Sequence, residues 1–274
     1  MTAAPLGVIP AQSRPMPSGA QQWWVLTTRM ITPTLRNGEF ATQVVGSIVF
    51  TIGFYLPLKN IMGQAQPMSS YAQYLTPLIV VQAVWFAAVS AAFRSATDAI
   101  QGINRRFRAM PMAALMPIGA RLTASLYRCS IALAVSLACG HIIGFRFHAG
   151  DRHAIGFVLL ALAIGAALAL LGDLIGMATR NPEATAPLLL VPQVTLGLAS
   201  VGLQPVERFP QWIQPFVRDQ PLSQFLNALR AFAGDTTPAA PAVTWSVIGP
   251  ALAWIAGGIV FSLVLLVRVS EKSQ

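Results

Sequence analysis

The amino-acid sequence predicts an all-α integral membrane protein with six transmembrane helices. Hydrophobic residues make up 55% of the chain and charged residues only 10%, whereas a soluble domain usually carries about 25% charged residues. The mean hydropathy is +0.61, so the chain has too little charge to cover a water-facing surface of its size. Its apolar stretches are as long as a bilayer is thick, and they follow one another along almost the whole sequence.

Six stretches contain the roughly 20 mostly apolar residues that a membrane-spanning helix requires. None of them alternates between apolar and polar residues as a strand does, so helices are expected. Pro187 and Pro192 would kink the fifth stretch, a position that spanning helices tolerate. The predicted spans are residues 40–58, 75–93, 122–145, 154–178, 184–203 and 245–267.

Basic residues orient these spans, because cytoplasmic segments of membrane proteins are enriched in Lys and Arg. With the N-terminus inside, twelve basic residues fall on the cytoplasmic side and six on the outer side. We therefore expect a multi-pass protein of the plasma (inner) membrane with both termini in the cytoplasm. This topology also accounts for the net charge of +9, so no nucleic-acid partner is expected.

The N-terminal part divides into a tail and a helix. Residues 1–20 are rich in Pro, Ala, Ser and Gly with a single charge, which predicts a disordered cytoplasmic tail before a transmembrane domain over residues 21–274. In residues 21–37, Trp23 and Trp24 stand beside Arg29 among other apolar residues. Aromatic and basic residues together favour an amphipathic helix on the cytoplasmic leaflet, and a frayed tail is the alternative.

The longest cytoplasmic loop covers residues 94–121 and contains a short amphipathic pattern. Ile100, Ile103 and Phe107 recur at spacings of three and four, and Thr97 or Asp98 is suited to capping a helix that starts there. Two interpretations stay open. The loop is either solvated, with arginines that follow the charge rule, or a helix whose apolar stripe is covered by a partner.

The segment of residues 204–244 is too polar to span a membrane and too aromatic for free solution. Short helices at the outer interface fit this composition best. Leu222, Phe225, Leu226 and Leu229 form an apolar stripe there.

Two charges interrupt predicted spans, where an ionisable group is costly. Arg128 and Asp173 fall at similar depth near the inner ends of consecutive helices. We expect them to form a buried charge pair, or Asp173 to pair with Arg121. The alternative is that each side chain extends separately to the cytoplasmic headgroups.

Sequence motifs of catalysis are absent. The chain has no GxxxxGK[ST], HExxH or GxSxG pattern. His141, His148 and His153 are spaced by seven and five residues, which does not define a metal site. We therefore expect no catalytic residue, no metal and no cofactor in this chain.

The layout and two local patterns resemble those of ABC-2 type transporter permeases of the daunorubicin/doxorubicin-resistance branch, found in actinobacteria and mycobacteria. The loop of residues 94–121 lies where that family has its coupling helix, although Gln101-Gly102-Ile-Asn-Arg105-Arg106 replaces the usual acidic–Arg pair and Gly-Leu run. The family's most recognisable stretch resembles an outer segment that contains Phe209, Pro210, Trp212, Gln214, Pro215, Pro221 and Arg230.

The resemblance implies a type V ABC exporter-like fold, with an interface helix, six spans, a coupling helix and short re-entrant helices before the last span. It also implies a separate nucleotide-binding ATPase subunit that holds ATP and Mg, and a second permease subunit, homologous or identical. The expected cargo is hydrophobic or amphipathic: a cell-envelope lipid, a drug or an antibiotic.

The resemblance assigns roles to three sets of residues. Contact with the ATPase is expected from Asp98, Ile100, Gln101, Ile103, Arg105, Arg106 and Phe107. The outer gate would contain Phe209, Pro210, Trp212, Gln214, Pro215, Pro221 and Arg230. The interface helix would contribute Trp23, Trp24 and Arg29. Two other classes stay open, a non-catalytic membrane scaffold and a polytopic membrane enzyme, although an enzyme would need convergent catalytic groups in the spans, where Asp173 is the one acidic residue.

Overall fold

A computed structural model describes residues 18–36, 38–62, 68–103, 106, 113, 115–237 and 241–272. Regular structure in these residues is helical throughout. A 3-10 turn at Val206–Arg208 precedes the last three α-helices. The α-helices are α1 (Gly19–Arg36), α2 (Glu39–Met62), α3 (Tyr71–Ile100), α4 (Met116–Ile143), α5 (Asp151–Thr179), α6 (Pro182–Leu198), α7 (Gln214–Asp219), α8 (Pro221–Ala233) and α9 (Trp245–Lys272).

Five helices in the described part of the chain are long and apolar enough to cross a membrane, which confirms an all-helical membrane protein. They are α2, α3, α4, α5 and α9. The fifth predicted stretch forms α6, which has 17 residues and is about 26 Å long at 1.5 Å per residue. That length is slightly less than the ~30 Å of a bilayer core. The helix ends before residue 203 because the backbone turns at residues 199–203 to meet polar side chains of α8.

Helix α3 is the centre of the bundle. It packs against α2, α4, α5, α6 and α8, and most of its residues are buried, as expected for a helix that is apolar on all sides. Helices α2 and α9 instead expose apolar side chains, among them Val49, Ile52, Val260 and Phe261. This outer surface suits contact with lipid.

Small residues bring α3 and α5 into close contact. A Cβ atom at Gly172 would lie 3.0 Å from the carbonyl oxygen of Ala88, and one at Gly176 would lie 2.9 Å from the backbone nitrogen of Ala96. Ala92 fills the space between these two points on α3. Small residues at four-residue spacing allow such close approach of membrane helices, so the α3–α5 pair is held at a fixed distance.

Helix α1 begins two residues before the predicted interface helix, and residues 1–17 of the predicted tail lie outside the described residues. Its buried side carries Trp23, Leu26 and Met30, which pack against Met116 and Ala120 at the start of α4. Its other side leaves Trp24 exposed. We call this end of the bundle the α1 end and the opposite one the α8 end.

Candidate functional site

A charged cavity of about 240 Å³ lies at the α1 end of the bundle. Helices α1, α3, α4 and α5 and the residues after α3 form its wall. Its charged lining residues are Arg29, Arg94, Asp98, Arg121, Arg128 and Asp173, joined by Gln101, Ile103 and Ser125. Residues from three separate sequence predictions therefore meet here: the interface helix, the coupling segment and the buried charges.

Ion pairs connect the helices around this charged cavity. Arg94 on α3 pairs with Glu39 at the start of α2, and the Thr34 hydroxyl of α1 donates a hydrogen bond to the same carboxylate at 2.9 Å. Arg121 on α4 lies 3.6 Å from Asp98 on α3. Four helices are thus joined through charged groups at one level of the bundle.

Arg128 and Asp173 both line the charged cavity, but they do not form the predicted direct pair. The ion pairs within 4.0 Å at this level of the described structure are those of Arg94 and Arg121. The Arg128 Nη2 atom instead donates to Ser125 Oγ at 2.9 Å. Ser125 lies one turn earlier on the same helix, and residues three apart on a helix are neighbours. Its hydroxyl is therefore close enough to accept a hydrogen bond from the guanidinium.

Asp173 is held in position through its backbone. The Ser95 hydroxyl of α3 donates to the Asp173 carbonyl oxygen at 3.1 Å, and Gly172 and Gly176 bring the two helices together on either side of it. The predicted alternative, a pair between Asp173 and Arg121, is not among the ion pairs of the described residues, where Arg121 lies 3.6 Å from Asp98 and also donates to Met177 Sδ at 3.4 Å.

The predicted coupling segment divides differently in the structure. Helix α3 continues to Ile100, so Asp98 and Ile100 belong to its last turn, and Ile100 is 59% exposed. Ile103 packs against α1 and α4. Gln101 and Arg106 are exposed, while Arg105 and Phe107 lie outside the described residues.

The predicted outer segment contains two short helices, α7 and α8, between α6 and α9. Trp212 is 81% exposed, and Pro210 and Pro215 are also on the surface. The Gln214 side chain donates to the Phe209 carbonyl oxygen at 2.8 Å, which closes the turn before α7. Pro221 occupies the first turn of α8, where a missing N–H costs nothing.

Arg230 of α8 is buried, with 3% of its surface exposed. Its Nε and Nη2 atoms each donate to the Tyr74 carbonyl oxygen at 3.1 Å, and Nη2 also donates to that of Val201 at 2.8 Å. The guanidinium carbon lies 3.7 Å from the centre of the Tyr74 ring. Arg230 therefore fastens α8 to α3 and to the turn after α6.

Two further polar residues of this region were not singled out as site residues by sequence reasoning. Gln220 donates to the Ala199 carbonyl oxygen, and the Ser223 hydroxyl accepts a hydrogen bond from the Val201 nitrogen at 3.2 Å. Both are buried beside an apolar stripe. The sequence could have indicated both residues, because an amide or hydroxyl that is buried among apolar residues needs a hydrogen-bond partner.

The α8 end is closed by contacts between distant loops. The Gln73 amide donates to the carbonyl oxygens of Arg146, at 2.8 Å, and Gly234, at 2.7 Å. Ser69 donates from its backbone nitrogen to Asp235 at 2.7 Å and also from its hydroxyl. Burial acts to raise the pKa of Asp235, but the hydrogen bonds from Ser69, Thr237 and Thr236 together outweigh it and the pKa is lowered.

An apolar cavity of about 510 Å³ lies between α3, α5, α6, α8 and α9. All the side chains that line it in the described part of the chain are apolar, and they include Trp85, Leu189, Phe225, Trp254 and Phe261. Such a cavity suits an apolar ligand or a lipid chain.

The described residues contain no cluster of three or more His, Cys, Asp or Glu side chains that could hold a metal ion.

Comparison with known proteins gives consistent results. Residues 21–232 match the model of the ABC-2 type transporter family. The doxorubicin resistance ABC transporter permease protein DrrB of Mycobacterium tuberculosis is 48% identical over 266 residues, which are 95% of this chain and 90% of that protein. A probable doxorubicin resistance permease of the same species, DrrC, is 27% identical over 76% of this chain and 75% of its own length. A daunorubicin resistance permease of Streptomyces coeruleorubidus is 26% identical over 70% and 69%.

Proposed function

Because this chain belongs to the ABC-2 type transporter family, we propose that it is the transmembrane permease subunit of an ATP-driven exporter of hydrophobic or amphipathic molecules. The apolar character of the cargo is inferred from the apolar cavity of about 510 Å³. Its aromatic and aliphatic lining favours molecules with a large apolar surface. The chain supplies the path, and ATP and Mg bind to a separate ATPase subunit.

The proposed topology has six crossings, with α6 as the fifth and both termini in the cytoplasm. Helix α6 is slightly short for a bilayer, but Leu188, Val191 and Val194 along it are exposed, as lipid-facing residues would be. The turn after it contacts α8 through the hydrogen bond from the Val201 nitrogen to the Ser223 hydroxyl. In this arrangement α7 and α8 lie at the outer side and the charged cavity lies at the cytoplasmic side.

The ATPase is proposed to contact the end of α3 and the residues that follow. Ile100 is exposed there without being part of the lipid-facing surface of α2 or α9. Ile103, three residues on, packs against α1 and α4. A displacement of this segment would therefore reach α1 and α4 directly, and α5 through its close contact with α3. A second permease subunit, identical or homologous, would complete the path.

The names of the relatives suggest the first cargo to test. Those proteins are named for resistance to doxorubicin and daunorubicin, which are amphipathic drugs. Cell-envelope lipids share the apolar character that the cavity favours. Both classes are therefore proposed as cargo, and transport has to be measured for each.

The test is reconstitution of the chain with its candidate ATPase and permease partners in liposomes. We expect the ATPase to co-purify with the chain, and ATP to drive movement of doxorubicin or of a labelled lipid. An ATPase with its catalytic glutamate replaced is the control. If no ATPase co-purifies and neither cargo moves, the chain is a scaffold and the proposal is wrong.

A substitution in the proposed ATPase contact tests the coupling. Ile100→Asp should leave the chain folded, because the side chain is exposed, and should reduce transport at least several-fold by weakening the apolar contact with the ATPase. Ile61→Asp is the matched control, since Ile61 is 68% exposed at the α8 end of α2. Equal transport by the two variants would show that Ile100 has no role in coupling.

A further inference from the structure

We propose that the charged cavity at the α1 end is a binding site for a phosphate group. Arg128, Arg94 and Arg29 would hold the anion, with Arg29 at the entrance and Arg128 inside. The proposal concerns binding alone and goes beyond the transport function, so it can be tested without ATP, an ATPase or cargo.

The first observation is the state of Arg128. This residue is 2% exposed, and its one hydrogen bond in the described structure runs from Nη2 to Ser125. The Nε and Nη1 atoms have no hydrogen-bond partner among the described residues. A buried cation with unused donors is costly unless an anion or ordered water satisfies it. The guanidinium lines the charged cavity, so a ligand there can supply the missing acceptors.

The second observation is the distribution of charge around the charged cavity. Asp98 is matched by Arg121, and Glu39 is matched by Arg94. Among the described lining residues this leaves Arg128 and Arg29 against a single carboxylate, that of Asp173. The surplus is positive, and Arg29 is exposed while Arg128 is buried. An anion would therefore be drawn from the surface toward the interior.

The third observation is the kind of donor. A guanidinium presents its N–H groups in a planar fork that matches the oxygens of a phosphate. Arg94 adds an Nη2 atom without a partner among the described residues, and Ser125 places its hydroxyl next to Arg128. Asp173 would repel an anion on its own side, which confines the phosphate to the side of Arg128 and Arg94. The volume of about 240 Å³ far exceeds the ~10–15 Å³ that one water needs.

Two sources carry this chemistry, a phospholipid headgroup and a soluble phosphate compound. The experiment measures binding to the purified full chain in uncharged detergent by microscale thermophoresis. The probes are dioctanoyl phosphatidylglycerol, dioctanoylglycerol, which lacks the phosphate, and inorganic phosphate. Binding of the phosphatidylglycerol but not of the dioctanoylglycerol indicates the headgroup, and binding of inorganic phosphate alone indicates the soluble source. Either result supports the site.

Substitutions locate the binding. Arg128→Gln should raise the apparent Kd about 10- to 100-fold, the change expected for the loss of charge-assisted hydrogen bonds. Arg128→Lys should raise the Kd by a smaller factor. Because Arg128 is buried, Arg29→Gln serves as a second variant that should fold normally. It should weaken binding about two- to fivefold, as expected for an exposed charge. Arg218→Gln is the control, since Arg218 is exposed on α7, remote from the cavity.

Three results would overturn the proposal. The first is that neither phosphate-bearing probe binds the wild-type chain. The second is that phosphatidylglycerol and dioctanoylglycerol bind equally, which would mean that the acyl chains alone are recognised. The third is that folded Arg128→Gln and Arg29→Gln bind like Arg218→Gln.

Discussion

Replacing Arg230 by Met should destabilise the fold at the α8 end. Methionine keeps much of the side-chain volume but removes the charge and all donors. The guanidinium contacts three carbonyl oxygens, those of Tyr74, Val201 and Gly202, and stacks on the Tyr74 ring. The substitution therefore separates the effect of the polar contacts from that of packing.

The magnitude follows from these contacts. The hydrogen bonds to Tyr74 and Val201 contribute about 1.5 kcal/mol each at the low end for charged donors, and the desolvated cation–π contact adds about 2 kcal/mol. Removing the buried charge returns part of this sum, because its desolvation no longer opposes folding. We expect a net loss of about 2–3 kcal/mol, which corresponds to a decrease in Tm of roughly 5–10 °C for a chain of this size.

The assay is thermal unfolding of the purified chain in detergent, followed by size-exclusion chromatography of the soluble fraction. Arg218→Met is the matched control, since Arg218 lies in the same region and its side chain is 66% exposed. That variant should change the stability by less than about 0.5 kcal/mol. If Arg230→Met is as stable as Arg218→Met, the anchoring role of Arg230 is refuted.

Three further outcomes are expected. Gly176→Ala should destabilise the α3–α5 contact by about 1–3 kcal/mol through overpacking, measured as a lower Tm, whereas Gly53→Ala, where no atom lies within 4 Å of the new Cβ, should not. Because hydrogen bonds lower the pKa of Asp235, its stabilisation is present above the ordinary value of 3.8 and is lost as the pH falls below it. The Tm difference between wild type and Asp235→Asn should therefore shrink in acid, and a difference independent of pH would contradict this. Gly258→Leu should fill the apolar cavity and slow cargo transport with little change in Tm; unchanged transport would exclude this cavity from the path.

Much of the helical layout could be predicted because bilayer-length apolar runs depend only on local composition. The fifth run shows the limit of this approach. Its residues remain apolar up to residue 203, yet the helix ends at Leu198. The turn forms because Ser223 and Arg230 contact the backbone of Val201, and these residues lie more than twenty positions later in the chain.

The sequence predicted the site residues in separate groups. It did not predict that residues of different groups would line the same cavity. Asp98 was predicted as part of an ATPase contact and Arg128 as part of a buried pair, but both line one cavity. The hydrogen-bond partner of Arg128 is Ser125, one turn earlier on the same helix, and not Asp173 on the neighbouring α5. Arg230 offered a clearer signal: it follows Leu226 by four residues and Leu222 by eight, so the helical period alone places it on the buried side of α8.

Helix α3 joins the two polar regions of the molecule. Near its start, Tyr74 receives Arg230 of α8, and near its end, Arg94 and Asp98 line the charged cavity. The helix has 30 residues, most of them buried, and is about 45 Å long at 1.5 Å per residue. A close-packed helix transmits a displacement rather than absorbing it. If the ATPase moves the end of α3, the first polar contacts to respond at the far side are those of Arg230, so the stability of this anchor and the efficiency of transport should change together in variants of Tyr74 and Arg230.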